Sequence, residues 1–227
     1  MVKRHLSRLY APKSWPIKRK GIKFITRPNP GAHNFKNSIP ISLVLTNILK
    51  YARVRKEVKK ILYEGKVLVN NKVRKDCHLP VGLMDIVSAP SLGESYRVLY
   101  TEKGKFQLLK ISEEEESLHL QKIVNKTTLK KNKVQINIFG GGCLIVDKDE
   151  YNTGDTIVLS LKDKKVVEHL PFKKGARIYM YGGKNIGKVG TLEEVKDNNI
   201  IVKTKEGSFE TARRYAFVVG ERQVTEA

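Results

Sequence analysis

Cysteine is scarce: only Cys77 and Cys143 occur in 227 residues, 66 positions apart. A chain of this length has room for cores that need no staple, so two free thiols in a reducing compartment are the expectation. Long apolar runs are missing as well. No stretch approaches the ~20 residues needed to cross a bilayer, and the N-terminus lacks the apolar run of a signal peptide. Its Lys/Arg-rich, Ser-containing start lacks acids, as transit peptides do, but Pro12, Pro16, Gly21 and Pro28 interrupt any amphipathic helix there. The five histidines are scattered, and none is spaced with another His or a Cys as a metal site requires. Phe139-Gly140-Gly141-Gly142-Cys143 is not followed by the Gly-Lys-Ser/Thr of a phosphate loop and reads as a tight turn. No Gly-x-Ser-x-Gly or other nucleophile motif occurs. The expectation is a chain with no catalytic residues, no bound metal and no cofactor.

The most telling scarcity is of negative charge. Residues 1–36 carry ten Lys/Arg and not one Asp or Glu. The counts are ten against four in 37–92, thirteen against twelve in 93–171, and eleven against seven in 172–227, for a net charge of +21. Apolar content of 40% is sufficient for folding. Self-repulsion at this net charge is relieved by a polyanion, and nucleic acid is favoured over an anionic membrane. The binding surface is expected at the N-terminal end, with a lesser one at the C-terminal end and a nearly neutral middle facing solvent or protein.

Residues 1–40 read as an extended basic arm punctuated by five prolines. Lys3, Arg4, Arg8, Lys13, Lys18, Arg19 and Lys20 are candidate phosphate contacts, and the interspersed Tyr10, Trp15 and Phe24 suit unpaired bases. Trp15 reads first as an anchor pinning the arm to the domain behind it. Residues 42–64 carry two helices. The first is short, apolar and uncharged until Lys50; the second spans 52–64, with Val54, Val58, Ile61 and Leu62 on one face. Arg53, Arg55, Lys56, Lys59 and Lys60 occupy its flanks and back. Gly65 is placed to stop that helix in a left-handed conformation. Val67 and Val69 then alternate as a strand, Asn70-Asn71 supply a hairpin turn, and Val73 returns.

The pattern Ala52-x-x-Arg55-x-x-Val58-Lys59-x-Ile61-Leu62-x-x-Gly65-x-Val67-x-Val69-Asn70 resembles the RNA-binding module named after bacterial small-subunit ribosomal protein four, a helix pair followed by a hairpin. The resemblance implies that RNA lies against the second helix and hairpin, at Arg53, Arg55, Lys56, Lys59, Lys72, Arg74 and Lys75. A second run, Lys173–Leu192, is similar to the short barrel motif (KOW) of several ribosomal proteins and of the NusG and Spt elongation factors. There Ile178 and Met180 alternate with Tyr179 and Tyr181 as a strand, Gly182-Gly183 turn the chain, and Gly187 and Gly190 let the next strand bend. Lys184, Asn185 and Lys188 stand on that turn as candidate phosphate contacts. The whole order, ending in Arg213-Arg214-Tyr215-Ala216-Phe217, resembles the e-type small-subunit ribosomal protein four family of archaea and eukaryotes. The stop at Ala227 resembles the archaeal form.

The expected fold is α+β and multidomain: a basic arm (1–40), a two-helix plus hairpin RNA-binding domain (41–92), a β-rich central domain (93–171) and a small SH3-like barrel (172–227). In the central part, 96–100, 106–111, 134–138, 144–146 and 156–160 read as strands, Asn152-Thr153-Gly154-Asp155 as a turn, and Glu113–Glu116 as the solvated first turn of a helix. The resemblance implies a structural constituent of the small ribosomal subunit, monomeric within a ribonucleoprotein, cytoplasmic, and partnered by small-subunit ribosomal RNA and neighbouring ribosomal proteins. Arg213 and Arg214 join the candidate RNA contacts on the same ground. A pseudouridine synthase using the same helix–hairpin module and an elongation factor sharing the barrel motif are the alternatives.

Overall fold

The computed structural model describes residues 5–130, 133–147, 149–204, 206–222 and 224. The chain divides into two compact units, 1–116 and 117–227. It is mostly β-strand, with few and short helices.

In the first unit the basic segment is folded. Strand β1 (His5–Ser7) pairs with β2 (Phe24–Thr26), in register from His5↔Thr26 to Ser7↔Phe24. Trp15 is 1% exposed, and its indole N–H donates to the Ser38 carbonyl at 2.7 Å. Leu6 and Ala11 are buried with it, and the Phe106 amide donates to the Ser14 carbonyl. The arm is thus packed rather than extended, because its few apolar residues and carbonyls find partners across the unit. Trp15 is the expected anchor; Tyr10, at 82% exposure, is not one.

Strand β3 (Ser38–Pro40) leads into α1 (Ile41–Leu43), which widens into a π-helical turn over Val44–Ile48. Helix α2 (Arg55–Tyr63) begins three residues later than the periodicity suggests. The Glu57 carboxylate accepts the Arg53 and Val54 amides at 2.7 and 3.4 Å, so it caps the helix and leaves Val54 outside it, 52% exposed. Val58 and Leu62 face the core. The helix ends as expected at Gly65, φ +72°. The Gly65 amide returns to Leu62 and the Lys66 amide to Ile61, the paired bonds of a Schellman cap.

Strands β4 (Leu68–Val69) and β5 (Lys72–Val73) form a hairpin whose two loop residues, Asn70 and Asn71, have φ of 51° and 57°. These are the angles of a type I′ turn, which Asn tolerates. Strand β6 (Pro80–Gly82) pairs with β3. Strands β7 (Ile86–Ala89), β8 (Glu94–Tyr100) and β9 (Phe106–Ile111) extend the hairpin into a five-stranded sheet, ordered β5-β4-β7-β8-β9. The boundary expected between 92 and 93 therefore falls inside a sheet: Val87 pairs with Tyr96, and both strands share one core. The unit closes with α3 (Glu113–Glu116), where Glu115 meets the wholly buried Arg97 at 2.8 Å.

A buried carboxylate ties these parts together. Asp85, 5% exposed, accepts the Gly82 amide and the Asn70 side-chain amide, each at 2.8 Å, and faces His33 Nε2 at 2.8 Å. Burial disfavours the charged imidazolium, but the hydrogen bond and charge of Asp85 outweigh it and hold His33 above its ordinary 6.5.

The second unit is built on β10 (Leu118–Thr128), an eleven-residue strand absent from the sequence-based expectations. A register shift between Ile123 and Asn125 lets its two halves pair with different strands, β11 (Val134–Ile138) and β13 (Thr156–Ser160). With β12 (Cys143–Val146) and β14 (Val166–Leu170) they form a sheet ordered β12-β11-β10-β13-β14 over Ile123, Ile136, Ile138 and Ile157. The Gly-rich stretch after β11 is the tight turn expected, with Gly140 and Gly141 at φ 92° and 78°.

A second five-stranded sheet is ordered β18-β17-β16-β15-β19, from β15 (Arg177–Met180), β16 (Val189–Lys196), β17 (Asn199–Thr204), β18 (Gly207–Ala212) and β19 (Ala216–Val218). Its core gathers Ile178, Met180, Leu192, Ile200, Val202 and Ala216. β15 does not alternate inside and outside: Tyr179 is as buried as its neighbours and pairs with buried Phe217. Within this unit the two sheets are joined. The Lys122 ammonium donates to the carbonyls of Arg214 and Ala216 at 2.9 and 2.6 Å. Burial, then Arg213, lowers its pKa to about 8. Asp155, 3% exposed, accepts the Asn152 and Phe172 amides and faces His169, so the expected turn at 152–155 is welded to the entry of the second sheet. No part of the unit separates at 171.

Two outcomes are expected. Because folding raises the His33 pKa, its contribution is full below pH 6.5 and fades as pH climbs through the raised folded value. Thermal melts across that window should show the fall, and Asp85→Asn should abolish the step; a pH-independent midpoint would count against the pairing. In Gly190→Ala, the new Cβ would sit 2.5 Å from the Lys203 carbonyl oxygen. Neighbouring strand backbone has to move, so denaturant melts should show a loss on the order of 1–3 kcal/mol.

Candidate nucleic-acid interface

The cations of the first unit differ from an ordinary charged surface in what surrounds them. Helix α2 carries two nearby acids, and both are engaged: Glu57 in the N-terminal cap and Glu64 with Lys66 at 2.6 Å. Arg53, Lys56, Lys59, Lys72 and Arg74 are exposed, and among the described residues none of their side chains forms an ion pair. On β5 and beyond, Lys75 lies 4.9 Å from the ring of Tyr63, which is 75% exposed. The hairpin edge and the solvent side of α2 therefore present positive charge together with one open aromatic face.

The arm's cations fall into two sets. Arg8 donates to the carbonyls of Ile22 and Lys18 at 2.9 and 2.8 Å, and Arg19 to that of Ala11 at 2.9 Å. Both guanidinium groups are held in place by neutral acceptors. Lys13, Lys18 and Lys20 project into solvent. Lys3 and Arg4 lie outside the described residues.

Folding of the arm creates a groove of about 1180 Å³ between its residues 24–35 and the segment 42–55. Arg8, Arg53 and Arg55, far apart in sequence, border it together, joined by Arg27 and His78. His78 donates from Nδ1 to the Arg27 carbonyl at 2.6 Å and faces Arg55 through Nε2, which fixes the tautomer and aims Arg55. Among the described residues no Asp or Glu borders the groove, and none of its four arginines pairs with a carboxylate. Phe35 and Asn47 are not singled out in the sequence, whereas Arg27 belongs to the acid-free basic stretch and Phe24 is one of the aromatics read there as suited to unpaired bases. The only signals are an arginine and an aromatic within the acid-free stretch, and nothing local shows which way they face.

In the second unit the glycine-rich turn after β15 is confirmed by sterics. A Cβ at Gly182 would meet the Tyr215 ring at 2.4 Å. On it Lys184 is exposed and Asn185 half-buried, whereas Lys188 is engaged by Glu206. Arg213 donates to the Thr153 carbonyl at 2.9 Å and lies 5.2 Å from the Phe172 ring. Arg214 is exposed above Tyr215 at 4.7 Å. Free positive charge here is sparser. Among the described residues there is no group of His, Cys, Asp and Glu able to hold a metal ion, and no helix long and apolar enough to cross a membrane.

Comparisons with known proteins bear on the family and the fold. The model of Ribosomal family S4e matches residues 92–166, and that of the RS4NT (NUC023) domain matches residues 2–36. Small ribosomal subunit protein eS4 of Methanocella arvoryzae is 40% identical over 223 residues, covering 96% of this chain and 94% of that protein. The eS4 of Methanocaldococcus jannaschii is 40% identical over 235 residues, covering 97% and 96%. The crystal structure of the 30S ribosomal protein S4e from Thermoplasma acidophilum superposes with a TM-score of 0.70 at 29% identity, over 81% of this chain and 95% of that one. Similarity at this level from end to end, on a fold whose uncompensated cations are concentrated in the first unit, shows that the chain belongs to the S4e family of small-subunit ribosomal proteins.

Proposed function

We propose that this protein is a structural constituent of the small ribosomal subunit that binds and organises ribosomal RNA and so supports translation. It acts as a scaffold, without catalysis, and works on the ribosome in the cytoplasm as a single copy among neighbouring ribosomal proteins. The observation that carries the reading is the set of exposed, unpaired cations on α2 and the β4–β5 hairpin, continuous with the arginine-lined groove. Such cations act by displacing condensed counterions from phosphates, and they carry little sequence information of their own.

Several finer points belong to the same proposal. The π-helical turn, α2 and the β4–β5 hairpin act as the helix–hairpin RNA-binding module, with Arg53, Arg55, Lys56, Lys59, Lys72, Arg74 and Lys75 on phosphates. Arg8, Lys13, Lys18, Arg19 and Lys20 extend that surface along the folded arm. The sheet β15–β19 serves as a small SH3-like barrel, with Lys184, Asn185 and Arg214 as a weaker RNA site and Lys188 and Arg213 held in reserve by their present partners. The acid-balanced sheet β10–β14 is the face for neighbouring proteins. Neither RNA modification nor transcription elongation finds support among the relatives.

Filter binding of the full chain to small-subunit ribosomal RNA should weaken steeply with salt. Replacing Arg53, Lys56 and Lys59 together by Ala should lower affinity and flatten the plot of log K against log salt by about one unit for each phosphate no longer neutralised. Affinity that ignores salt, or a triple variant with the wild-type slope, would defeat the proposal.

A further inference from the structure

The arginine-lined groove differs in kind from the surface of α2. It is recessed, and its volume of about 1180 Å³ exceeds the ~300–1,000 Å³ usual for a pocket that takes one small ligand. Its rim is cationic, but its wall is of another character. Phe24, 50% exposed, and Phe35 border it, as do Ser42, Thr46 and Asn47.

Three features of that wall point to a ligand with both phosphate and base chemistry. First, Ser42 is 2% exposed, and its hydroxyl has no hydrogen-bond partner among the described residues. A buried polar atom left unpaired costs free energy that a ligand's polar group would recover. Second, the chain there follows a π-helical turn, closed by the Leu49 amide on the Val44 carbonyl, a local departure common at functional sites. The Thr46 hydroxyl lies 2.9 Å from the Ser42 carbonyl and 2.8 Å from Asn47 Oδ1, with one proton to share between them, and the Asn47 side chain is exposed beside it with its remaining amide valences available to a ligand. Third, Lys23 lies 5.5 Å from the Phe24 ring and Arg27 lies 5.9 Å from that of Phe35. Cations set beside aromatic faces favour an anionic chain whose rings stack.

A duplex offers phosphates on a convex outer surface and keeps its bases stacked inside, so it matches α2 and the hairpin but not a recessed wall of amides, hydroxyls and a phenyl ring. We propose that the groove receives a short unpaired stretch of RNA, with its phosphates on Arg27, Arg53 and Arg55 and a base turned in against Phe24, its edge read by Asn47 and Ser42. This inference rests on the RNA-binding reading above and adds the class of RNA. The arm then acts as a jaw that selects single-stranded segments, while α2 outside it holds phosphates of any geometry.

The test uses the full chain with two probes: an unstructured oligoribonucleotide carrying 2-aminopurine, and a blunt RNA duplex of equal charge. Binding of the single strand should quench the 2-aminopurine. Phe24→Ala should remove the quench and weaken the single strand by about fivefold to a hundredfold, the range for losing one stacked base, with duplex affinity changed less than about twofold. Phe24→Trp, which keeps a stacking face, should restore both readouts, and Asn47→Ala, on an exposed side chain, should weaken the single strand alone. Equal losses for both probes, an unaltered quench in Phe24→Ala, or displacement of the strand by free mononucleotide at equal affinity would overturn the groove assignment while leaving RNA binding intact. Failure of the wild-type chain to bind either probe would overturn the RNA reading itself.

Discussion

The carboxylate of Asp85 is the point on which the first unit turns. Three groups from different stretches of chain converge on it: the Gly82 amide at the end of the strand that pairs with β3, the Asn70 side chain in the hairpin turn, and the His33 imidazole near the end of the arm. A buried carboxylate is tolerated only when its oxygens are occupied, and removing one partner of such a pair typically costs about 3–5 kcal/mol. The constraint is reciprocal. Asn70 can hold its positive φ and also return a carbonyl to the Ile86 amide at 2.8 Å because Asp85 takes its other end. Gly82 has to be glycine, since any Cβ would lie 2.3 Å from the His33 ring.

From that interaction the groove follows. With His33 held by Asp85 and Trp15 bound to the Ser38 carbonyl, residues 24–31 line one groove together with Leu43, Thr46 and Asn47 of the helical turn. Four arginines meet there with no carboxylate among them. Bringing like charges together is unfavourable, and a chain of net charge +21 has little to offset it except the anchors and a polyanion. Under the proposed function, ribosomal RNA is such a polyanion.

The second unit repeats the device with the opposite electrostatic outcome. Asp155, again buried, gathers amides from a turn and a sheet entry together with a histidine, and Lys122 spans from one sheet to carbonyls of the other. Here part of the charge is engaged internally: Lys126 meets Asp149, Lys188 meets Glu206 and Arg222 meets Glu168. Cations engaged in this way hold the unit together and leave fewer for a partner.

The sequence by itself determined the elements whose causes are local. The glycine at 65 and the Asn70-Asn71 pair favoured positive φ, the alternation around them favoured a hairpin, and the acid-free first 36 residues fixed a surplus of positive charge. The glycine-rich turn after β15 and the family likeness were legible for the same reason, because turn chemistry and spacing are written in neighbouring residues. Only the tertiary structure decided what depends on residues distant in sequence. Strands β8 and β9 belong to the first sheet because β7 offers them an edge, which no composition shift at 92–93 records. Tyr179 is buried because β15 lies inside its sheet rather than at an edge. The long strand β10 hides its alternation because a bulge switches partners midway along it. The groove was invisible for the most basic reason: charge and aromaticity are properties of residues, but enclosure is a property of three dimensions, here imposed by one aspartate 52 positions beyond the histidine it holds.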